Sequence, residues 1–315
     1  MLSPALNTHL LTPQMAGLLS RIRRAKQPPM HALTPAMARR AYEAGAEVLD
    51  LPRAPLARVQ ALQLPGGGGT LRPARLYCAS LEARPALLYM HGGGFVVGSL
   101  ETHDSLCRQL ALRSGWAVVA LDYRLAPEHP FPAAVDDSWA ALRSLAANPQ
   151  RHGVAALRAV GGDSAGGTLA AVAALHARDV GLPLALQLLI TPGTTAHADT
   201  ASHRLFAQGF LLDAATIAWM FDHTLPHHHR RDWRFAPLEA EVDGVAPACV
   251  ILAECDPLVD EGLAYADRLR LAGVPVALEL YRGVTHDFIK MGRAIKQASQ
   301  ALDAAAAALM QVETP

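Results

Sequence analysis

A chain of 315 residues, 51% hydrophobic and 18% charged, can bury a large core, which excludes a disordered or low-complexity protein. Its 28 Lys and Arg balance its 28 Asp and Glu, so no net field draws it to nucleic acid or to an anionic membrane surface. No apolar run reaches the roughly 20 residues that span a bilayer, the N-terminus lacks a leader pattern, and Cys78, Cys107, Cys249 and Cys255 have neither CxxC nor zinc spacing. The expectation is a cytoplasmic protein with free thiols, no metal, and a small, mostly neutral substrate.

In chain order, residues 1–51 are expected to form an N-terminal helical cap segment, with apolar residues at helical spacing in 10–22 and 35–49 and the breaker KQPPMHALTP between them. Residues 52–315 would then be the catalytic domain. Two strands, 57–64 and 71–79, flank Gly66 to Gly69, which composition reads as a flexible turn of an antiparallel edge hairpin. From there apolar runs at 86–90, 116–121, 156–160, 184–190, 248–253 and 276–281 alternate with helical stretches at 105–113, 133–148, 164–179, 261–273 and about 291–312. Such alternation specifies an α/β fold, a largely parallel sheet covered on both faces.

Between Pro192 and Pro247 the alternation stops, and the insertion at about 193–246 is expected to complete the cap or wall the pocket. Trp219, Phe221, Trp233 and Phe235 are its candidates for an acyl pocket, with ordinary packing as the competing reading. His227 to His229 lack spaced partners and read as a solvated loop rather than a metal site.

The densest chemical signal is Gly162-Asp163-Ser164-Ala165-Gly166, between the apolar run 156–160 and a helical stretch. A serine on a sharp strand-to-helix turn needs small neighbours, and a helix N-terminus favours the negative charge that develops in acyl transfer. Ser164 is thereby the candidate nucleophile, with the N–H of Ala165 available to an oxyanion. A second signal, His91-Gly92-Gly93-Gly94-Phe95, follows the run 86–90 and exposes backbone N–H groups as an oxyanion hole requires. The competing phosphate loop would need a Walker lysine, which is missing.

A serine hydroxyl needs a base to take its proton. Among 14 histidines, His286 follows the run 276–281 and would reach the sheet edge of Ser164, whereas His103, His129 and His152 precede the nucleophile, against the Ser, acid, His order. Asp256, after the run 248–253, is the best-placed acid; Glu254, Asp260 and Glu261 are rivals, and Asp287 adjoins the base but should point away from it. Cys255, beside Asp256, reads as a buried, unreactive thiol.

These motifs, with Asp122-Tyr123-Arg124-Leu125-Ala126-Pro127-Glu128 and Asp256-Pro257-Leu258 followed by Asp260-Glu261-Gly262, resemble the hormone-sensitive lipase family of bacterial esterases (bacterial family IV), in its Gly-Asp-Ser-Ala-Gly branch, over about residues 85–290. The resemblance implies an α/β-hydrolase fold with an eight-stranded sheet under a helical cap. It implies no cofactor and hydrolysis of short- to medium-chain acyl esters through a serine acyl-enzyme. It places the oxyanion N–H groups at Gly93 and Gly94 together with Ala165, makes 123–128 a buttress with Glu128 an internal ion-pair partner, and suggests homodimers joined at sheet edges. Many relatives carry Gly-Phe after the catalytic histidine, where this chain has Asp287-Phe288. Competing readings are an arylacetamide deacetylase-like amidase and a non-catalytic small-molecule receptor on the same fold, as the plant gibberellin receptors are; the latter lose part of the triad.

Overall fold

The computed structural model describes residues 8–312; the first seven residues of the expected cap segment lie outside the described part. Two helices come first, α1 (Pro13–Arg24) and α2 (Pro35–Leu49). Each begins at a Thr-Pro pair, where the threonine side chain accepts the N–H three residues on (Met15 at 3.2 Å, Met37 at 3.3 Å) and proline fills the first helical position without losing a needed donor.

After them come β1 (Arg58–Pro65), β2 (Leu71–Cys78), β3 (Pro85–Met90), α3 (Asp104–Ser114), β4 (Ala117–Leu121), α4 (Ala133–Ala147), β5 (Ala156–Asp163) and α5 (Ala165–Asp179). The chain continues through β6 (Leu186–Ile190), α6 (Ala201–Leu205), α7 (Ala214–Thr224), β7 (Ala248–Cys255), α8 (Val259–Leu271), β8 (Val276–Thr285) and α9 (Lys296–Met310). The last helix starts five residues later than its periodicity suggests, and a separate 3₁₀ turn, Phe288–Lys290, precedes it.

The strands form one eight-stranded sheet of order β1-β2-β4-β3-β5-β6-β7-β8, parallel from β4 to β8, with the hairpin β1-β2 antiparallel at one edge. Every residue of β4 and β6 is buried, which explains why these strands read as unbroken apolar runs. The chain leaves β3 outward to β4 and returns to β5 on the other side of β3, so a crevice opens at the carboxyl ends of β3 and β5.

Gly66 to Gly69 are not the flexible turn that composition suggests. The Gly67 N–H donates to Asp137 Oδ1 at 2.8 Å, Asp137 is itself clamped by Arg124, and a Cβ on Gly67 would come 2.5 Å from Asp136. Gly66 and Gly67 are needed for close approach to α4, whereas Gly68 and Gly69 take φ of +68° and +78° in open space.

Most apolar burial lies in one core formed by the sheet and its flanking helices, and α1 joins it through Met15, Leu18 and Leu19. A second, smaller cluster gathers Ala38 of α2, Val96 and Val97 of the loop after β3, Ala126, and Met220 of α7. Helix α2 buries only Ala38 and is tied down by Arg39, which donates to the carbonyls of Val96 (2.8 Å) and Ala126 (2.7 Å) and pairs with Glu128. The Glu128 side chain is 54% exposed, so its ion pair spans the surface between α2 and the loop after β4 and is not internal. No helix of the described residues is long and apolar enough to cross a membrane.

Candidate active site

Ser164 stands between β5 and α5 with φ +53° and ψ −122°, a strained conformation for a residue with a side chain. Two things hold it there. Its N–H donates to the Ile190 carbonyl at 2.8 Å, and Gly166 lets the first turn of α5 pass close under β3, since a Cβ at Gly166 would lie 2.0 Å from the Met90 oxygen. The strain lifts the hydroxyl clear of the sheet and sets it at the amino end of a helix.

His286, after β8, places Nε2 2.9 Å from Ser164 Oγ and Nδ1 2.7 Å from Asp256 Oδ2. With Nδ1–H donating to the carboxylate, Nε2 is left to accept the serine proton. The other Asp256 oxygen accepts the Leu258 N–H at 2.9 Å, which fixes the carboxylate plane. Both side chains are buried. Burial pulls the His286 pKa down, but the charge and hydrogen bond of Asp256, with Asp287 and Asp163 behind them, outweigh it and raise the value above that of an ordinary histidine.

The rival carboxylates are otherwise engaged. Glu254 accepts the Gly283 N–H at 2.8 Å, and Asp260 accepts the Ser202 N–H at 2.8 Å. Glu261 accepts from the N–H groups of Thr194 (2.6 Å) and Thr195 (3.3 Å); burial, against those hydrogen bonds, pushes its pKa up to about 8. Asp287, in the left-handed region at φ +60°, does not face away from the site: one carboxylate oxygen stands 4.0 Å from His286 Nε2, and the other accepts from Tyr42 at 3.3 Å. Cys255 is buried, and desolvation with the neighbouring Glu254 and Asp256 pushes its thiol up to about 12, so it stays protonated near neutrality.

Gly93 and Gly94, after β3, have φ of +125° and +59° and line the same cavity as Ser164 and His286. A Cβ on Gly94 would sit 2.0 Å from Met220 Sδ. Ala165 and Gly94 border a second, smaller space beside Ser164. The expected buttress contributes Tyr123, whose hydroxyl donates to the His91 carbonyl at 2.6 Å and whose ring stacks on the His91 imidazole at 4.3 Å.

Two residues were missed by sequence reasoning as parts of the site's frame. Asp163 is fully enclosed and accepts from Tyr89 Oη (2.6 Å), the Gly92 N–H (3.1 Å) and His103 Nε2 (3.0 Å), so it ties the serine turn to the glycine loop. Burial alone would raise its pKa; the charge and hydrogen bond of His103, with Lys290 and Tyr89, hold it far below the carboxylate range. His103, set aside as a base because it precedes the serine, is instead this carboxylate's partner. Their 60-residue separation leaves no local signal.

Of the four aromatic candidates, Phe221 and Phe235 line the smaller space beside Ser164. Trp233 stacks near Trp139 at 6.1 Å, and Trp219 packs on His223 at 4.6 Å, so both serve packing. His227 is 84% exposed in the surface turn of the three histidines. No group of His, Cys, Asp and Glu among the described residues is arranged to hold a metal.

Residues 87–290 match the family described as alpha/beta hydrolase fold. An ethyl acetate hydrolase of Pseudomonas putida is 40% identical over 96% of this chain and 99% of its own length. The carboxylesterase NlhH of Mycobacterium tuberculosis is 40% identical over 75% of this chain and 77% of its own. Among solved structures, an alpha/beta hydrolase enzyme from the metagenome of Lake Arreo superposes with a TM-score of 0.91 at 39% identity, covering 96% of this chain and 98% of that one. A thermostable esterase from Pseudomonas putida gives 0.92 at 30% identity, with 99% of each chain covered.

Proposed function

The chain belongs to the alpha/beta hydrolase fold family, in its hormone-sensitive lipase branch, and is a carboxylic ester hydrolase; we propose that it works through Ser164 as nucleophile, His286 as base and Asp256 as the group that orients that base. The observation that carries this assignment is the continuous line from Asp256 Oδ2 through the His286 ring to Ser164 Oγ, with steps of 2.7 and 2.9 Å.

In the first half-reaction His286 Nε2 takes the Ser164 proton as Oγ attacks the ester carbonyl. The N–H groups of Gly93, Gly94 and Ala165 hold the resulting oxyanion, with the positive end of α5 adding to the stabilisation. Collapse expels the alcohol, which takes the proton from Nε2. Water then enters on the histidine side, gives its proton to Nε2 and attacks the acyl-enzyme, and the acid leaves as Oγ recovers the proton. No cofactor enters this sequence.

The cap combines the N-terminal helices with the insertion at about 193–246. Support comes from the cavity above Ser164, where Met30 and Tyr42 from the first segment face Leu211 and Met220 from the second. A homodimer would pair an outer strand of the sheet, β1 or β8.

Hydrolysis of p-nitrophenyl acetate tests the triad. Ser164→Ala is expected to lose roughly three to six orders of magnitude in kcat with an unchanged melting curve. Retained turnover in a folded Ser164→Ala protein would remove Ser164 from the nucleophile role.

A further inference from the structure

We propose that this esterase is built for esters joining a short acyl group to a large apolar alcohol, an inference that rests on the triad assignment above. Ser164 borders two spaces of unequal size. One, about 50 Å³, is walled by Ile217, Met220, Phe221, Phe235 and Leu258 and does not touch His286. The other, about 280 Å³, is bounded by Gly93, Gly94, Ser164 and His286.

The proton path decides which part of an ester occupies which space. The departing alcohol oxygen must receive its proton from His286 Nε2, so the alcohol lies on the side of Ser164 that His286 occupies. The acyl chain, on the other side of the carbonyl carbon, points into the small space. That space has little room to grow: Phe235 packs at 5.3 Å on Phe95 and at 5.2 Å, edge-on, against Phe221. Glu261, which also lines it, is held by Thr194 and Thr195.

The histidine side does not end at its own cavity. Met30, Tyr42, Leu211, Asp287 and Met291 line both it and a further chamber of about 360 Å³. The roof of that chamber is one face of α2, Ala38, Ala41, Tyr42, Gly45, Ala46 and Leu49, at the spacing of successive helical turns. A face of mostly small residues leaves this space unfilled and, with Ala41 and Gly45 exposed, open along α2; a Cβ added at Gly45 would meet nothing within 4 Å. The alcohol's chain therefore has a largely apolar path away from the triad, passing Asp287 and Lys290 on one side, each buried methylene worth roughly three- to fourfold in binding. The space assigned to the acyl chain shares no wall residue with that chamber.

Octyl acetate and ethyl octanoate test this directly, because they are isomers and equal in overall hydrophobicity. With ethyl acetate as reference, kcat/KM is expected to be at least tenfold higher for octyl acetate than for ethyl octanoate. Equal rates, or faster cleavage of ethyl octanoate, would overturn the assignment of the two spaces. Octyl acetate no better than ethyl acetate would remove the chamber from substrate binding. Absence of turnover on all three, and on p-nitrophenyl acetate, would instead sink the esterase reading and this proposal with it. Gly45→Phe, checked for folding by circular dichroism, is expected to lower the octyl acetate to ethyl acetate ratio at least fivefold; an unchanged ratio also counts against the chamber.

Discussion

The two apolar clusters differ in what they hold. The main core carries the sheet whose carboxyl ends present Ser164, Asp256 and His286, and each of these is fixed by buried hydrogen bonds. The small cluster under α2 holds the outer side of the glycine loop and the roof of the substrate space, and α2 itself buries only Ala38 while leaving Met37 and Val48 exposed. Chemistry thus rests on the part of the molecule that is costly to deform, and substrate choice on the part that is cheap to reshape.

If this division holds, damage beside the sheet should cost far more than damage under the roof. After the loss expected from Ser164→Ala, the next largest effect is expected from Asp256→Asn, which keeps the shape but favours the wrong tautomer of His286: roughly 10⁴-fold in kcat, read on p-nitrophenyl acetate, with little change in KM. A loss under tenfold would mean that His286 keeps its productive tautomer without the Asp256 charge on Nδ1.

Next comes Asp163→Asn, which removes the buried carboxylate that accepts from Tyr89, the Gly92 N–H and His103 and should destabilise by about 1.5–3 kcal/mol in urea unfolding near pH 7. The Asp163 pKa is lowered on folding, so its contribution is present above about pH 4, the unfolded value, and is lost as pH falls toward the folded one. The gap between wild type and variant should therefore narrow below pH 4. A gap that does not change with pH would show that the carboxylate charge is not what matters.

A smaller effect concerns pH. Because the His286 pKa is raised, the neutral form that can accept the serine proton accumulates only above the usual histidine value of about 6.5, and kcat/KM should rise through neutrality into the alkaline range. Asp287→Gly suits the positive φ and removes one of the carboxylates behind that shift, so the limb should move to lower pH by a fraction of a unit. An unmoved limb would show that the 4.0 Å separation is fully screened.

The smallest effect is expected at the roof's surface clamp. Glu128→Ala breaks an exposed pair with Arg39 and should change global stability by less than about 1 kcal/mol, with p-nitrophenyl acetate turnover unaltered. A larger loss would mean that the roof is energetically part of the core.

Much of this was legible beforehand. Strand and helix alternation placed the elements of the sheet, because burial on both faces forces apolar runs. The serine turn and glycine loop could be read because close backbone approach admits only small residues there, a demand that acts on neighbours in the chain. Other features could not be read locally. Phe221 and Phe235 reach the pocket while Trp219 and Trp233 do not, and nothing in their spacing separates them. Gly66 and Gly67 read as part of a flexible turn only because Asp137, which accepts the Gly67 N–H, lies 70 residues away.

What the sequence by itself determined, then, was the fold, and it singled out a candidate nucleophile and the expected order of its partners, since each depends on periodicity or on residues side by side. Only the tertiary structure decided that Asp256 and not Glu254, Asp260 or Glu261 meets His286, that Asp163 and His103 join the serine turn to the glycine loop, and that Ser164 borders one small and one large space. Hydrogen bonds and cavities arise where segments distant in the chain converge, and their geometry is set by how whole elements pack.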